Sequence, residues 1–195
     1  KEFFDSLGGR ICYIETSRGC PYRCAFCLSG RCSGLRFFDI DKVKENILLL
    51  ANSGTETVKF VDRTFNANSC RANLILNFIK DNYGAKIPQG VCFHFEIAGD
   101  ILSGQTLEIL SQMPVGAVQL EIGMQSFNEE TLKLINRKTD TKKLIQNIKT
   151  LLSFKNMHIH IDLIAGLTGE DMQSFELSFN TGYSLHAHML QMGFL

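Results

Sequence analysis

The sequence has no excess of either charge: 20 Lys and Arg offset 20 Asp and Glu over 195 residues. Without a global basic or acidic field, the composition points neither to nucleic acid nor to an anionic membrane surface. No apolar run reaches the ~18 residues of a membrane-spanning helix, so no membrane association is expected. A signal peptide is also lacking, which implies a reducing, cytoplasmic setting. There is no low-complexity stretch and no internal linker, and the length suits one domain with a sizeable core. The first residue is Lys1 rather than methionine, and the chain stops on the strand-like run "HMLQMGFL". From these ends we expect residues 1–195 to be the core domain of a longer multidomain protein.

What the sequence does have is cysteine in one place. Four of its seven cysteines fall in residues 17–32, "SRGCPYRCAFCLSGRC". In a reducing compartment a disulfide framework is not expected, and clustered thiols bind metal or do chemistry. Cys20, Cys24 and Cys27 are spaced C-x3-C-x2-C and directly follow the strand-like "RICYIET". Three thiolates can ligate three irons of a [4Fe–4S] cluster and leave the fourth iron open to a ligand. A structural zinc site needs four closed ligands, and Cys32 is a candidate fourth. The alternative to an iron–sulfur enzyme is therefore a non-enzymatic zinc-binding or interaction module. Cys12, Cys70 and Cys92 read as small buried hydrophobes.

Strand-like and helix-like segments alternate six times along the chain. Strands are expected in "RICYIET", "ETVKFVD", "GVCFHFEIAG", "GAVQLEIGMQS", "MHIHIDLIAG" and "HMLQMGFL". Between them lie helical stretches with recognisable starts and stops: Asp39 or Asp41 and Gly54 for the first, Gly84 closing the second, Ser103 opening the third, Asn128 the fourth. Thr168 and Asp171 stand at capping-box spacing before the last helix. Six β units joined by helices predict an α/β fold, a parallel sheet forming a partial (β/α)6 TIM-like barrel. Helix-covered parallel strands are ordinarily apolar on both faces. Here one face alternates His94, Glu96, Ala98, then Gln119, Glu121, Gly123, Gln125, then His158, His160, Asp162. The other face holds Phe93, Phe95, Leu120, Ile122, Ile159, Ile161 and Leu163. A row of polar residues predicts a ligand-filled lumen lined by Glu96, Glu121, Gln125, His160 and Asp162. His158 and His160 read as a hydrogen-bonded pair in that lumen, and His186 and His188 as surface residues.

The cysteine spacing, with the aromatic Phe26 before the last thiol, resembles the radical S-adenosylmethionine (SAM) superfamily. "EIGMQSFNEETLKLINR" and "IDLIAGLTGE" are similar to segments of oxygen-independent coproporphyrinogen oxidases, methylthiotransferases and cobalamin-dependent members. "FVDRTFNAN", "FHFEIAGD" and "INRKTD" most resemble the branch with a cobalamin-binding domain before the core and a domain of unknown function after it. The resemblance covers nearly the whole chain. It implies an oxidoreductase or transferase in which a reduced [4Fe–4S] cluster on Cys20, Cys24 and Cys27 cleaves SAM homolytically. The resulting 5′-deoxyadenosyl radical takes a hydrogen atom from a small or macromolecular substrate, for methyl transfer or methylthiolation. It further implies an electron donor such as flavodoxin or ferredoxin, and cobalamin held by a domain outside this chain. Residue by residue, it assigns Glu96 to SAM's methionine moiety, Gln125 and Asp162 to the ribose, and Arg137 to the carboxylate, for which a guanidinium fork is suited. Family members often carry "GGE" after the second strand. This chain has "VDRTFN", which offers Asp62 as the replacement contact. Thr168 stands where relatives of this pattern carry proline.

Overall fold

The computed structural model describes residues 6–31 and 34–195. Cys32 lies outside the described residues. Six strands form one parallel sheet: β1 Ile11–Ile14, β4 Thr57–Phe60, β5 Cys92–Ile97, β6 Val118–Gln125, β7 His158–Ala165 and β8 Met189–Phe194, in that spatial order. The order follows the chain, as crossovers of one hand require. The two ends, β1 and β8, do not pair, so the barrel is open, as the alternating pattern predicts. A second, two-stranded antiparallel ribbon joins β2 Ser17–Arg18 to β3 Arg36–Phe37. Nothing in the strand pattern of the sequence predicts this ribbon.

Each crossover carries a helix whose start is fixed by a side-chain cap. Asp39 opens α1 Ile40–Ala51, accepting from the Asp41 and Lys42 amides. Asn68 opens α2 Ser69–Asn82, Ser103 opens α3 Gly104–Ser111, and Asn128 opens α4 Glu129–Leu134. Asp140 opens α5 Thr141–Phe154, and Asp171 opens α6 Met172–Tyr183. Such caps satisfy amides that the first helical turn leaves without partners. Asp171 is itself the cap of α6 and forms a capping box with Ser174, which corrects the expected Thr168 start. Gly166 and Gly169 sit at φ +90° and +80°, so the chain cannot enter a helix until after them.

The core lies between helices and sheet. Val58, Phe60, Phe93, Phe95, Ile122, Ile159, Ile161 and Leu163 are completely buried there. Phe95 packs its ring 4.4 Å from both Phe60 and Phe65. Each fully buried side chain of this size contributes roughly 1.5–3 kcal/mol. Cys12 is buried as expected and Cys92 half-buried, but Cys70 is exposed. It is the second residue of α2, whose inward face is instead Ala72, Asn73, Ile75, Leu76 and Ile79. Among the described residues, no helix is long and apolar enough to cross a membrane.

Candidate active site

The thiol loop leaves the sheet after β1 and is held at four levels. At its root, Asp62 accepts hydrogen bonds from the Thr16 amide at 3.1 Å, the Thr16 hydroxyl at 2.8 Å and the Ser17 hydroxyl at 2.5 Å. At its neck, the β2–β3 ribbon brings Gly19 against Gly34. Gly19 has φ +97°, and a Cβ there would run into the Gly34 carbonyl oxygen, so only glycine fits. Around the thiols, the Ala25 amide donates to the Ile135 carbonyl at 2.8 Å, and the Asn136 side-chain amide donates to the Arg23 carbonyl at 2.9 Å. Beneath, Phe26 packs on Leu132, Ile135 and Leu167. The Cys20 thiol lies 3.4 Å from the Thr64 hydroxyl.

This loop roofs a cavity of about 200 Å³ at the C-terminal ends of the strands. The cavity brings together Cys20, Cys24 and Cys27 with Phe26, Glu96, Gln125, Arg137 and Asp162. Tyr22, Arg63 and Glu121 complete its polar wall. Two expected residues are elsewhere. Asp62 does not line the cavity, because both its oxygens hold the loop root and it is 1% exposed. His160 is buried beside Asp162 rather than in the wall. Nor do His158 and His160 pair with each other. His158 stacks on His188 with centroids 5.0 Å apart, and exposed His188 accepts from the Ile159 amide at 3.1 Å.

Gln125 reaches the cavity through a break in β6. Gly123 pairs with Asp162 but Gln125 pairs with Leu163, so Met124 is an extra residue and the strand bulges. Gln125 takes φ +68°, a conformation that L-residues adopt at a cost. A Cβ on Gly123 would collide with the Gln125 side-chain amide. The bulge is braced from behind. The Ser126 hydroxyl donates to Glu170 at 2.5 Å, and the Phe127 amide donates to the Ser178 hydroxyl at 3.0 Å. Ser126 and Glu170 lie within the segments "EIGMQSF" and "IDLIAGLTGE" but have no role assigned there, and no motif marks Ser178.

Arg137 bridges the two halves of the site. Its Nη2 donates to the Gly123 carbonyl at 2.6 Å, and its Nη1 lies 3.9 Å from the Cys24 sulfur. Its guanidinium sits 5.8 Å from the centre of the Tyr22 ring. Its buried Nε has no partner. Across the cavity, Asp162 Oδ1 is buried and lies 3.0 Å from His160 Nε2, yet the two are too poorly aligned to hydrogen-bond. The electrostatics separate the carboxylates. His94 Nε2 at 2.9 Å and Lys59 Nζ at 3.2 Å hold Glu121 down to about 2 against the opposing effect of burial. Burial, then the Glu121 and Glu96 charges, push Asp162 up to about 7. Glu96 is raised by burial and by Glu121. Burial also raises the Cys24 thiol, with Arg137 opposing.

The residues present fit a thiolate-held group with an anionic, hydroxyl-bearing ligand beside it. Three soft sulfur donors share one wall. An unpartnered guanidinium nitrogen suits a carboxylate, an unpartnered carboxylate oxygen suits hydroxyls, and the missing Cβ of Gly123 leaves Gln125 its place. Among the described residues, no group of three or more His, Cys, Asp or Glu converges as a single ion requires.

Fold and cavity thus define a class: a partial α/β barrel that carries a three-thiol loop over a polar lumen at its strand ends. The model of the radical SAM superfamily matches residues 14–181, and the chain belongs to that superfamily, whose members bind a [4Fe–4S] cluster and SAM. It is 29% identical over 180 residues to the 2-(S-pantetheinyl)-carbapenam-3-carboxylate methyltransferase of Streptantibioticus cattleyicolor, covering 83% of this chain and 24% of the relative. The cobalamin-dependent radical SAM methyltransferase TokK of Streptomyces tokunonensis is 26% identical, with 83% and 24% covered. The solved structure of the methyltransferase TsrM from Kitasatospora setae, with cobalamin and a [4Fe–4S] cluster bound, superposes with a TM-score of 0.82 at 16% identity. That match covers 99% of this chain and 35% of TsrM. TokK, cobalamin-dependent by its name, is of the kind that the sequence resembles. The chain spans about a quarter of the length of the two curated relatives (24%).

Proposed function

We propose that this chain is the core of a radical SAM enzyme that transfers methyl groups with cobalamin as carrier. The observation that carries the reading is the shared cavity, where three thiols meet Glu96, Gln125, Arg137 and Asp162. The relatives that are methyltransferases, one of them named as cobalamin-dependent, support the type of reaction. Cys20, Cys24 and Cys27 would hold the cluster. When bound, and reduced by a flavodoxin or ferredoxin, it supplies the electron that breaks SAM's carbon–sulfur bond for hydrogen abstraction.

The chain's own residues do the binding and orienting. Arg137, fixed to the Gly123 carbonyl and next to the Cys24 sulfur, receives SAM's carboxylate. Gln125, set by its bulge, and Asp162 receive the ribose. Glu96 faces the methionine amino group. Phe26 closes the thiol side with an apolar surface that keeps water out.

Anaerobic reconstitution tests the reading first: about four irons and four sulfides should bind. Replacing all three cysteines by alanine should abolish this. Full cluster retention in that variant, or stoichiometric zinc without iron, would overturn it. Calorimetry with SAM tests the contacts. Asp162→Ala and Arg137→Ala should each weaken binding by ~1.5–3 kcal/mol, roughly ten- to a hundred-fold. Unchanged affinity in both would remove these residues from the SAM site.

A further inference from the structure

We propose that His160 is a positioning residue for SAM: its Nε2 donates to Asp162 Oδ1 and so holds that carboxylate towards the ribose hydroxyls. This rests on the reading that Asp162 receives the ribose. His94, His158 and His160 stand on the cavity-side row of the sheet. His94 Nε2 lies 2.9 Å from Glu121, and the His158 ring stacks on His188. His160 has neither kind of partner. It is 6% exposed, and its Nε2 is buried without a hydrogen bond. The acid it reaches, at 3.0 Å, is Asp162, whose Oδ1 is also buried and unpartnered. Glu121 pairs in register with His160, but His94 and Lys59 already hold it.

Two buried polar atoms that face each other unmatched are each left with a desolvation cost, which alignment removes. His160 and Asp162 are two residues apart in β7, so their side chains leave the same face of the strand. Turning the His160 ring is therefore enough to bring its Nε2 proton onto Oδ1. An ionised carboxylate offers about four acceptor sites, so Asp162 can take this donor and ribose hydroxyls together. The surrounding charges explain why it needs the donor. Glu121 on β6 and Glu96 on β5 repel an ionised Asp162, with Lys59 on β4 opposing them. The neighbouring positions on β8 are Met189 and Gln191, which carry no charge. Of the two arginines in the cavity wall, Arg137 is fixed to the Gly123 carbonyl and Arg63 is exposed. Burial, helped by His94, His158 and Lys59, keeps the His160 ring towards its neutral form against the pull of Glu121. A neutral imidazole with its proton on Nε2 supplies a donor without burying a further charge. The proton stays on the ring, and Asp162 stays an acceptor.

The test is anaerobic calorimetry of SAM binding to the reconstituted protein across neutral pH. His160→Leu should weaken SAM about tenfold near neutrality. Without the donor, Asp162 holds its proton below about 7, so the variant's affinity should climb as pH rises through that value, more steeply than the parent's. His160→Gln, whose amide nitrogen comes near the place of Nε2, should restore both the affinity and the flatter profile. In an Asp162→Ala background, His160→Leu should have no further effect. A parent-like affinity and profile in His160→Leu would overturn the proposal. So would an equal loss in the Asp162→Ala background, or a His160→Gln variant that binds no better than His160→Leu. If His160→Leu does not fold, His160→Gln decides alone: parent-like binding upholds the donor, and a steep pH profile removes it. SAM affinity unchanged by Asp162→Ala itself would defeat the underlying reading. Weakening by Asp162→Ala but not by His160→Leu would defeat this proposal only.

Discussion

The two faces of β5, β6 and β7 share one backbone and one set of ladder hydrogen bonds but do opposite things. On the helix side, Phe93, Phe95, Ile122, Ile159, Ile161 and Leu163 are completely buried. On the cavity side, one residue along in each strand, Glu96, Glu121 and Asp162 face one another. Stability is concentrated on the first face. The second holds carboxylates in positions that burial and mutual repulsion disfavour. A strand with period two lets a single element carry both without mixing them.

The sharpest contrast is between neighbours. Phe95→Ala should cost about 3–5 kcal/mol, because its ring is completely buried against Phe60 and Phe65. Glu96→Gln should cost little or stabilise, since it removes a buried charge set against Glu121. Urea unfolding of both variants measures this, and equal losses would abolish the distinction between the faces. Glu121→Gln comes next. It breaks the contacts to His94 and Lys59 and should lose about 1.5–3 kcal/mol near neutral pH. Because Glu121 is held at about 2, its contribution is complete above its ordinary 4.5 and disappears as pH falls towards 2. Thermal unfolding should show the variant and parent converging in acid.

Asp162 works in the reverse direction. Its native form keeps a proton that the unfolded chain releases near 3.8, so it erodes stability as pH rises from there through about 7. Asp162→Asn should flatten that decline, and an unchanged pH slope would refute the assignment. The smallest effect concerns the bulge. Gln125→Gly should relieve the φ +68° backbone and raise stability by up to ~1 kcal/mol, while SAM binding weakens. A variant that is less stable than the parent would show that Gln125 is held by more than its site role.

Those strands were legible because alternation marks both faces at once, and the C-x3-C-x2-C spacing located the loop that roofs the cavity. The residues that meet there were read from motifs scattered over more than a hundred positions. What escaped depends on backbone geometry that side-chain identity does not encode. The β2–β3 ribbon consists of Ser-Arg and Arg-Phe, too short to show a period. Thr168 and Asp171 are both competent caps, and only the glycine conformations between and before them decide for Asp171. The β6 bulge is invisible because "EIGMQS" continues to look like a regular strand. Asp62 looked available because its three donors, from Thr16 and Ser17, lie more than forty residues away.

Three successive residues, Ile135, Asn136 and Arg137, each grip the thiol loop by a different atom type: a carbonyl, an amide and a guanidinium. The loop and the end of α4 are therefore one cooperative unit, and opening either must release the other. Linkage makes the dependence mutual, so whatever orders the thiols also protects the Ala25 amide that bonds to Ile135. Deuterium uptake at that amide then becomes a gauge of loading at the sulfurs, readable without following any reaction.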